Sequence, residues 1–141
     1  MQARVKWLDH MSFVGESGSG HSLVMDGSPE HGGRNLGVRP METVLIGLGG
    51  CSAFDVMLIL KKGRQDVIDC EVLLDAVRVD AVPAVFENIH LTYVVKGNDL
   101  SVKQVERAVS LSVEKYCSVT KMLQETVKIT VEVKVESTHS A

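Results

Sequence analysis

The chain has 141 residues, 45% hydrophobic, 23% charged and 4% aromatic, an ordinary composition for one soluble globular domain with an aliphatic core. Its formal net charge is −3 and no basic cluster exceeds a few residues, which excludes a dedicated nucleic-acid binder, because phosphate recognition needs a basic footprint. The three cysteines, Cys51, Cys70 and Cys117, lie too far apart for a disulfide scaffold, and neither they nor the five histidines show metal-ligand spacing, so no metal or other cofactor is expected.

At the N-terminus Ala3, Val5 and Trp7 alternate with Gln2, Arg4 and Lys6, which predicts a half-buried strand. The same segment has no apolar core of a secretory signal, and the cytoplasm is the expected compartment. Two short strands follow in "SFVGES" and "HSLVMDG", separated by "GSG", and then a loop over residues 28–37 rich in glycine and turn formers. Arg39-Pro40 opens a helix: proline is tolerated at the first helical position and Glu42 falls in the first turn.

From Thr43 to Leu60 that helix carries one charge, Asp55. Eighteen residues barely reach across a bilayer, and an aspartate inside a span costs roughly 2.5–3.5 kcal/mol. The strands elsewhere are polar on one face and need an apolar surface to cover. A buried core helix is therefore expected, with no membrane contact. Gly47, Gly49 and Gly50 each cost about 1 kcal/mol relative to alanine in a helix interior. Their clustering points to close approach of another backbone, and burial against a partner subunit predicts a homodimer.

Residues 68–99 read as two long strands meeting near residues 81–85, where Pro83 cannot donate to a ladder. Ile89, Leu91, Tyr93 and Val95 share one face of the second strand. The first loses phase around residues 73–77, which predicts a bulge or twist there. Ser101 and Gln104 then form a capping-box signature. It opens an amphipathic helix whose stripe runs through Val102, Val105, Val109, Val113, Tyr116/Cys117, Thr120 and Leu123. "VKITVEVKVES" closes the chain as a strand with Ile129, Val131, Val133 and Val135 inward. The order βββ-α-ββ-α-β, with no repeat or linker, predicts one α+β domain over residues 1–141.

Cys51 and Cys117 thus come from the apolar faces of two helices. They are either small core hydrophobes, as free cysteines often are, or a reactive pair. Cys51 lies about three turns beyond Pro40, outside the reach of the helix dipole. Cys70, between Asp69 and Glu71, is expected to be passive, since neighbouring anions raise a thiol pKa.

"RPMETVLIGLGGCSAFDVMLILKKGR" together with "VEKYCSVTKML" resembles the OsmC/Ohr family, the osmotically induced and organic-hydroperoxide-resistance proteins. The likeness runs over essentially the whole chain and is nearest to the YhfA-like branch, through its R-P-x-E, G-x-G-G-C and D-V…I-L-K-K elements. The resemblance implies antiparallel sheets wrapped around two long central helices in an intertwined homodimer, with two sites at the subunit interface. It also implies that Cys51 attacks an organic hydroperoxide and becomes a sulfenic acid. Cys117 then closes a disulfide, which an external dithiol reduces. That chemistry needs a thiolate and a second thiol close by.

Two elements of the family pattern are displaced here. No arginine occupies residues 16–20, and Met41 rather than a glutamate follows Pro40, with Glu42 one residue later and so turned by about 100° on the helix. Arg39, with Arg34 as the alternative, is expected to approach Cys51 in their place, within the chain or across the dimer, with Glu42 orienting it. The expected function is thiol-dependent reduction of organic hydroperoxides by Cys51, Cys117, Arg39 and Glu42. The alternative is a non-peroxidase relative that senses redox state or binds an apolar small molecule.

Overall fold

The computed structural model describes residues 1–139 and comprises two compact units, the first ending at Ile46 and the second beginning at Gly47. In the first, β1 (Ala3–Asp9), β2 (Ser12–Ser17) and β3 (Ser22–Met25) form an antiparallel meander in that order. The β1–β2 turn places His10 at φ 49, and Gly20 takes φ 90 in the next turn, where glycine has no Cβ to clash. The alternation in β1 is present, but its apolar residues are not covered: Val5 and Trp7 are 64% and 60% exposed.

The loop after β3 is organised by Asp26, which is almost fully buried. Its carboxylate accepts from the Ser12 hydroxyl at 2.9 Å and from the backbone N–H groups of Gly27 (2.7 Å), Leu36 (3.2 Å) and Arg34 (3.4 Å). Burial by itself would raise the Asp26 pKa. These four donors outweigh it and hold the group below its ordinary value. A single turn at Pro29–His31 leads on to Gly33, where a Cβ would stand 2.0 Å from the Gly27 carbonyl oxygen. Only glycine fits there.

Helix α1 (Pro40–Lys62) starts where Arg39-Pro40 predicts, and the Glu42 carboxylate accepts the Arg39 backbone N–H at 2.8 Å. Among the described residues it is the one helix long and apolar enough to cross a membrane. Within the second unit it instead buries Leu48, Gly49, Ser52, Val56 and Leu60.

That unit is built on β4 (Asp66–Arg78), β5 (Phe86–Asn98) and β6 (Lys128–Thr138), in the order β4-β5-β6. Ile89, Leu91, Tyr93 and Val95 on one face of β5 are each 0% exposed, as their period-2 spacing predicts. Each such aliphatic burial contributes about 1.5–3 kcal/mol. Where a bulge or twist is expected at residues 73–77, no bulge interrupts the pairing. Pairing is regular from Asp69 to Val77, with shifts only at its two ends. The phase loss has another cause: Ile68, Leu73 and Val77 point outward and remain exposed.

Two features correct the expected architecture. β6 runs parallel to β5, from Asn88↔Lys128 to Asn98↔Thr138, so the second sheet is mixed rather than antiparallel. A parallel neighbour requires a crossover, and the helical segment between β5 and β6 supplies it. That segment is not one long helix. α2 (Val102–Leu111) passes into a π-helical turn at Ser112–Tyr116, Cys117 is extended (φ −72, ψ 108), and α3 (Ser118–Leu123) then begins. The Ser101 cap is present, accepting from Gln104 N–H at 3.3 Å. The amphipathic period cannot show such a widened turn, because apolar residues on both sides of it still face the core.

Candidate functional site

Cys51 and Asp55 lie four residues apart on α1 and so share a face. The break between α2 and α3 brings Cys117 to them: both sulfurs and a carboxylate oxygen of Asp55 all lie within 4.8 Å of one another. Cys51 and Asp55 are half-buried and Cys117 is buried. Among the residues predicted for the site, the structure therefore brings Cys51 and Cys117 together.

Cys117 is also the N-cap of α3, its sulfur accepting from Thr120 N–H at 3.4 Å. Burial pushes this thiol above the ordinary cysteine value, with Cys51 adding to the rise, while the Thr120 hydroxyl and N–H act in the opposite direction. Cys70 on β4 is raised too, by burial and then by Asp69, in keeping with a passive thiol.

Beneath the sulfurs runs a chain of buried hydroxyls. Ser52, the residue after Cys51, hydrogen-bonds the Tyr93 hydroxyl and, at 3.0 Å, the Ser112 hydroxyl. Ser112 is itself placed to donate to the Ser52 carbonyl at 3.0 Å or to the Asp55 carboxylate at 3.4 Å. Burial pushes the Tyr93 hydroxyl up to about 12, so it stays protonated. The network ties α1 to β5 and to the π-helical turn, and it fixes the helix faces from which both thiols project. Sequence reasoning missed Asp55, Ser52, Ser112 and Tyr93 as site residues. The i, i+4 spacing of Cys51 and Asp55 was the available signal; the hydroxyls, 41 and 60 residues from Ser52 along the chain, gave none.

Arg39, Glu42 and Arg34 belong to the first unit. The Arg39 guanidinium donates to the carbonyls of Gly37 at 3.0 Å and Asp26 at 3.4 Å. Glu42 holds the Arg39 backbone N–H rather than its guanidinium, and Arg34 pairs with Asp9 at 3.2 Å.

The family model for OsmC-like proteins matches residues 32–132, from the loop before α1 into β6. The chain belongs to the OsmC-like family. This OsmC-like chain is 52% identical over 130 residues to Protein YhfA of Escherichia coli K12, covering 92% of the chain and 94% of that relative. It is 34% identical to a hypothetical protein of Aquifex aeolicus VF5 whose crystal structure superposes with a TM-score of 0.79, over 96% of each chain. An organic hydroperoxide resistance protein OsmC of Legionella pneumophila shares the OsmC-like fold, with a TM-score of 0.71 at 16% identity over 94% of this chain and 95% of that one.

Proposed function

We propose that the chain is a thiol-dependent peroxidase that reduces organic hydroperoxides through Cys51 and Cys117. The observation that carries this reading is the convergence of the two sulfurs, one half-buried and one buried, at a break in the helical crossover. As a thiolate, Cys51 attacks the terminal oxygen of the hydroperoxide. The O–O bond breaks, the departing alkoxide takes a proton to leave as the alcohol, and Cys51 becomes a sulfenic acid. The Cys117 sulfur then attacks that of Cys51. Hydroxide leaves with the Cys117 proton as water, and the disulfide formed is returned to two thiols by an external dithiol. Apolar neighbours on α1 favour an organic over a small hydrated peroxide.

Assembly belongs to the same reading. Gly47, Gly50, Phe54 and Leu58 recur at helical spacing on α1 and are exposed in the single chain, Phe54 by 68%. A stripe of this kind is the face of an intertwined homodimer, in which the partner's α1 packs against the glycines. The reducing cytoplasm would keep the thiols ready between turnovers.

The test is stoichiometric cumene hydroperoxide against the reduced protein, with free thiols counted and disulfides mapped by mass spectrometry. Loss of two thiols per chain to a Cys51–Cys117 disulfide is expected, faster than with hydrogen peroxide. Cys117→Ser should stop at sulfenic or sulfinic acid and Cys51→Ser should not react. A wild type that loses thiols no faster than Cys51→Ser would overturn the proposal. The second reading, a non-peroxidase redox sensor or binder of an apolar small molecule, is favoured by one observation: Arg39 and Glu42 already satisfy local backbone groups.

A further inference from the structure

The three converging groups are also a ligand set. Two thiols and a carboxylate with mutual distances within 4.8 Å come from positions 51, 55 and 117, a spacing that no sequence pattern for a metal site contains. Around a tetrahedral zinc ion, with Zn–S of about 2.3 Å and Zn–O of about 2.0–2.2 Å, neighbouring ligand atoms stand roughly 3.5–3.8 Å apart. Side-chain rotations that close the cluster by about 1 Å reach that geometry.

Two hydrogen-bond donors face the ligand atoms. The Thr120 N–H points at the Cys117 sulfur, and the Ser112 hydroxyl lies 3.4 Å from the Asp55 carboxylate. Thr120 is 1% exposed, and its hydroxyl has no hydrogen-bond partner among the described residues. A metal-bound Cys117 thiolate, beside the Thr120 N–H, would give this buried donor an acceptor. Burial is graded as well. Cys51 and Asp55 are half-buried while Cys117 is enclosed, which leaves the fourth position of a tetrahedron on the open side.

We propose that Cys51, Asp55 and Cys117 form a three-ligand site for a soft divalent cation, with zinc its preferred occupant and one coordination position not filled by these three side chains. Each thiol gives up its proton as its bond to the metal forms, and both sulfurs are then held as thiolates. The site uses the same sulfurs as the peroxidase reading but does not depend on it, because binding is measured on the reduced protein with no peroxide present.

The experiment titrates reduced, metal-free protein with Cd2+, following sulfur-to-metal charge-transfer absorption, and then with Zn2+ in competition with a chromophoric chelator. One ion per chain is expected. Cys51→Ser and Cys117→Ser should each abolish the charge-transfer band of a two-thiolate site, and Asp55→Asn should weaken zinc at least tenfold. Ser112→Ala, outside the ligand set, should weaken it by a smaller factor; circular dichroism confirms that each variant is folded. Absence of the absorption, or binding that Asp55→Asn and Cys117→Ser leave unchanged, would overturn the proposal whatever the outcome with hydroperoxide.

Discussion

Replacing Ser52 by alanine removes the centre of the buried hydroxyl chain and leaves the Tyr93 hydroxyl, on a side chain that is 0% exposed, with no partner among the described residues. An orphaned buried donor costs about 1–3 kcal/mol. Ser112 loses one contact but keeps the Ser52 carbonyl and Asp55 within reach, so its share is small. The expected cost of Ser52→Ala is about 2–3 kcal/mol. Tyr93→Phe removes the outer hydroxyl while Ser52 still holds Ser112, and should cost about 1 kcal/mol. With both changes no phenol is stranded, so the double variant should cost about 1–2 kcal/mol, less than Ser52→Ala alone. Urea unfolding at one fixed protein concentration, followed by far-ultraviolet circular dichroism, reads the cycle. At a typical slope of about 2 kcal/mol per molar, Ser52→Ala moves the midpoint by roughly 1 M. Additive costs, with the double variant near 3–4 kcal/mol, would show that the three hydroxyls do not act as a unit.

Gly50 faces open space in the single chain, so in an uncovered helix Gly50→Ala would stabilise by about 1 kcal/mol; against a partner helix it should lower the urea midpoint and loosen the dimer in sedimentation. A raised midpoint at unchanged slope would remove the glycine stripe as an interface. The folded Asp26 carboxyl binds its proton more weakly than the unfolded one, so its stabilisation is fully present above the ordinary value of 3.8 and is lost as pH falls through the lower folded value. Fluorescence of the single tryptophan, Trp7, in the same unit, should report an acid transition below pH 3.8 that Asp26→Asn no longer shows. A Cβ at Gly97 would meet the Asp66 carbonyl oxygen at 2.1 Å, a backbone atom that cannot step aside, so Gly97→Ala should cost about 3 kcal/mol and deplete soluble protein. Wild-type yield and midpoint would contradict this.

What could be read from the sequence divides along a physical line. Ile89, Leu91, Tyr93 and Val95 were legible because alternation and burial coincide on a central strand, and α1 was legible because Pro40 and Glu42 mark its start. The direction of β6 was not, since side-chain alternation is the same in a parallel and an antiparallel neighbour. The exposure of β1 was also hidden, because an apolar stripe does not say whether its cover lies in the same chain. At the site, the resemblance to a known family paired the two cysteines. In the sequence Asp55 stands out as a charge that argues against a membrane span, and its i, i+4 relation to Cys51 is the one local sign of the cluster. Hydroxyls drawn together from α1, β5 and the crossover leave no local pattern at all.

The widened turn at Ser112–Tyr116 makes chain length, more than residue identity, the variable that controls the thiol pair. A π turn holds one residue more than an α turn, so a single-residue deletion there has to be taken up at the break itself, where the extended Cys117 starts α3 and its direction would change. All three cysteines would remain in such a sequence, in the same order and nearly the same spacing, yet Cys117 would no longer look towards Cys51. A sequence of this fold could thus gain or lose the approach of the two thiols through one codon, with no cysteine replaced. Counting thiols in a sequence is a poor guide to whether they meet in the fold; the length of the segment between α2 and α3 is a better one.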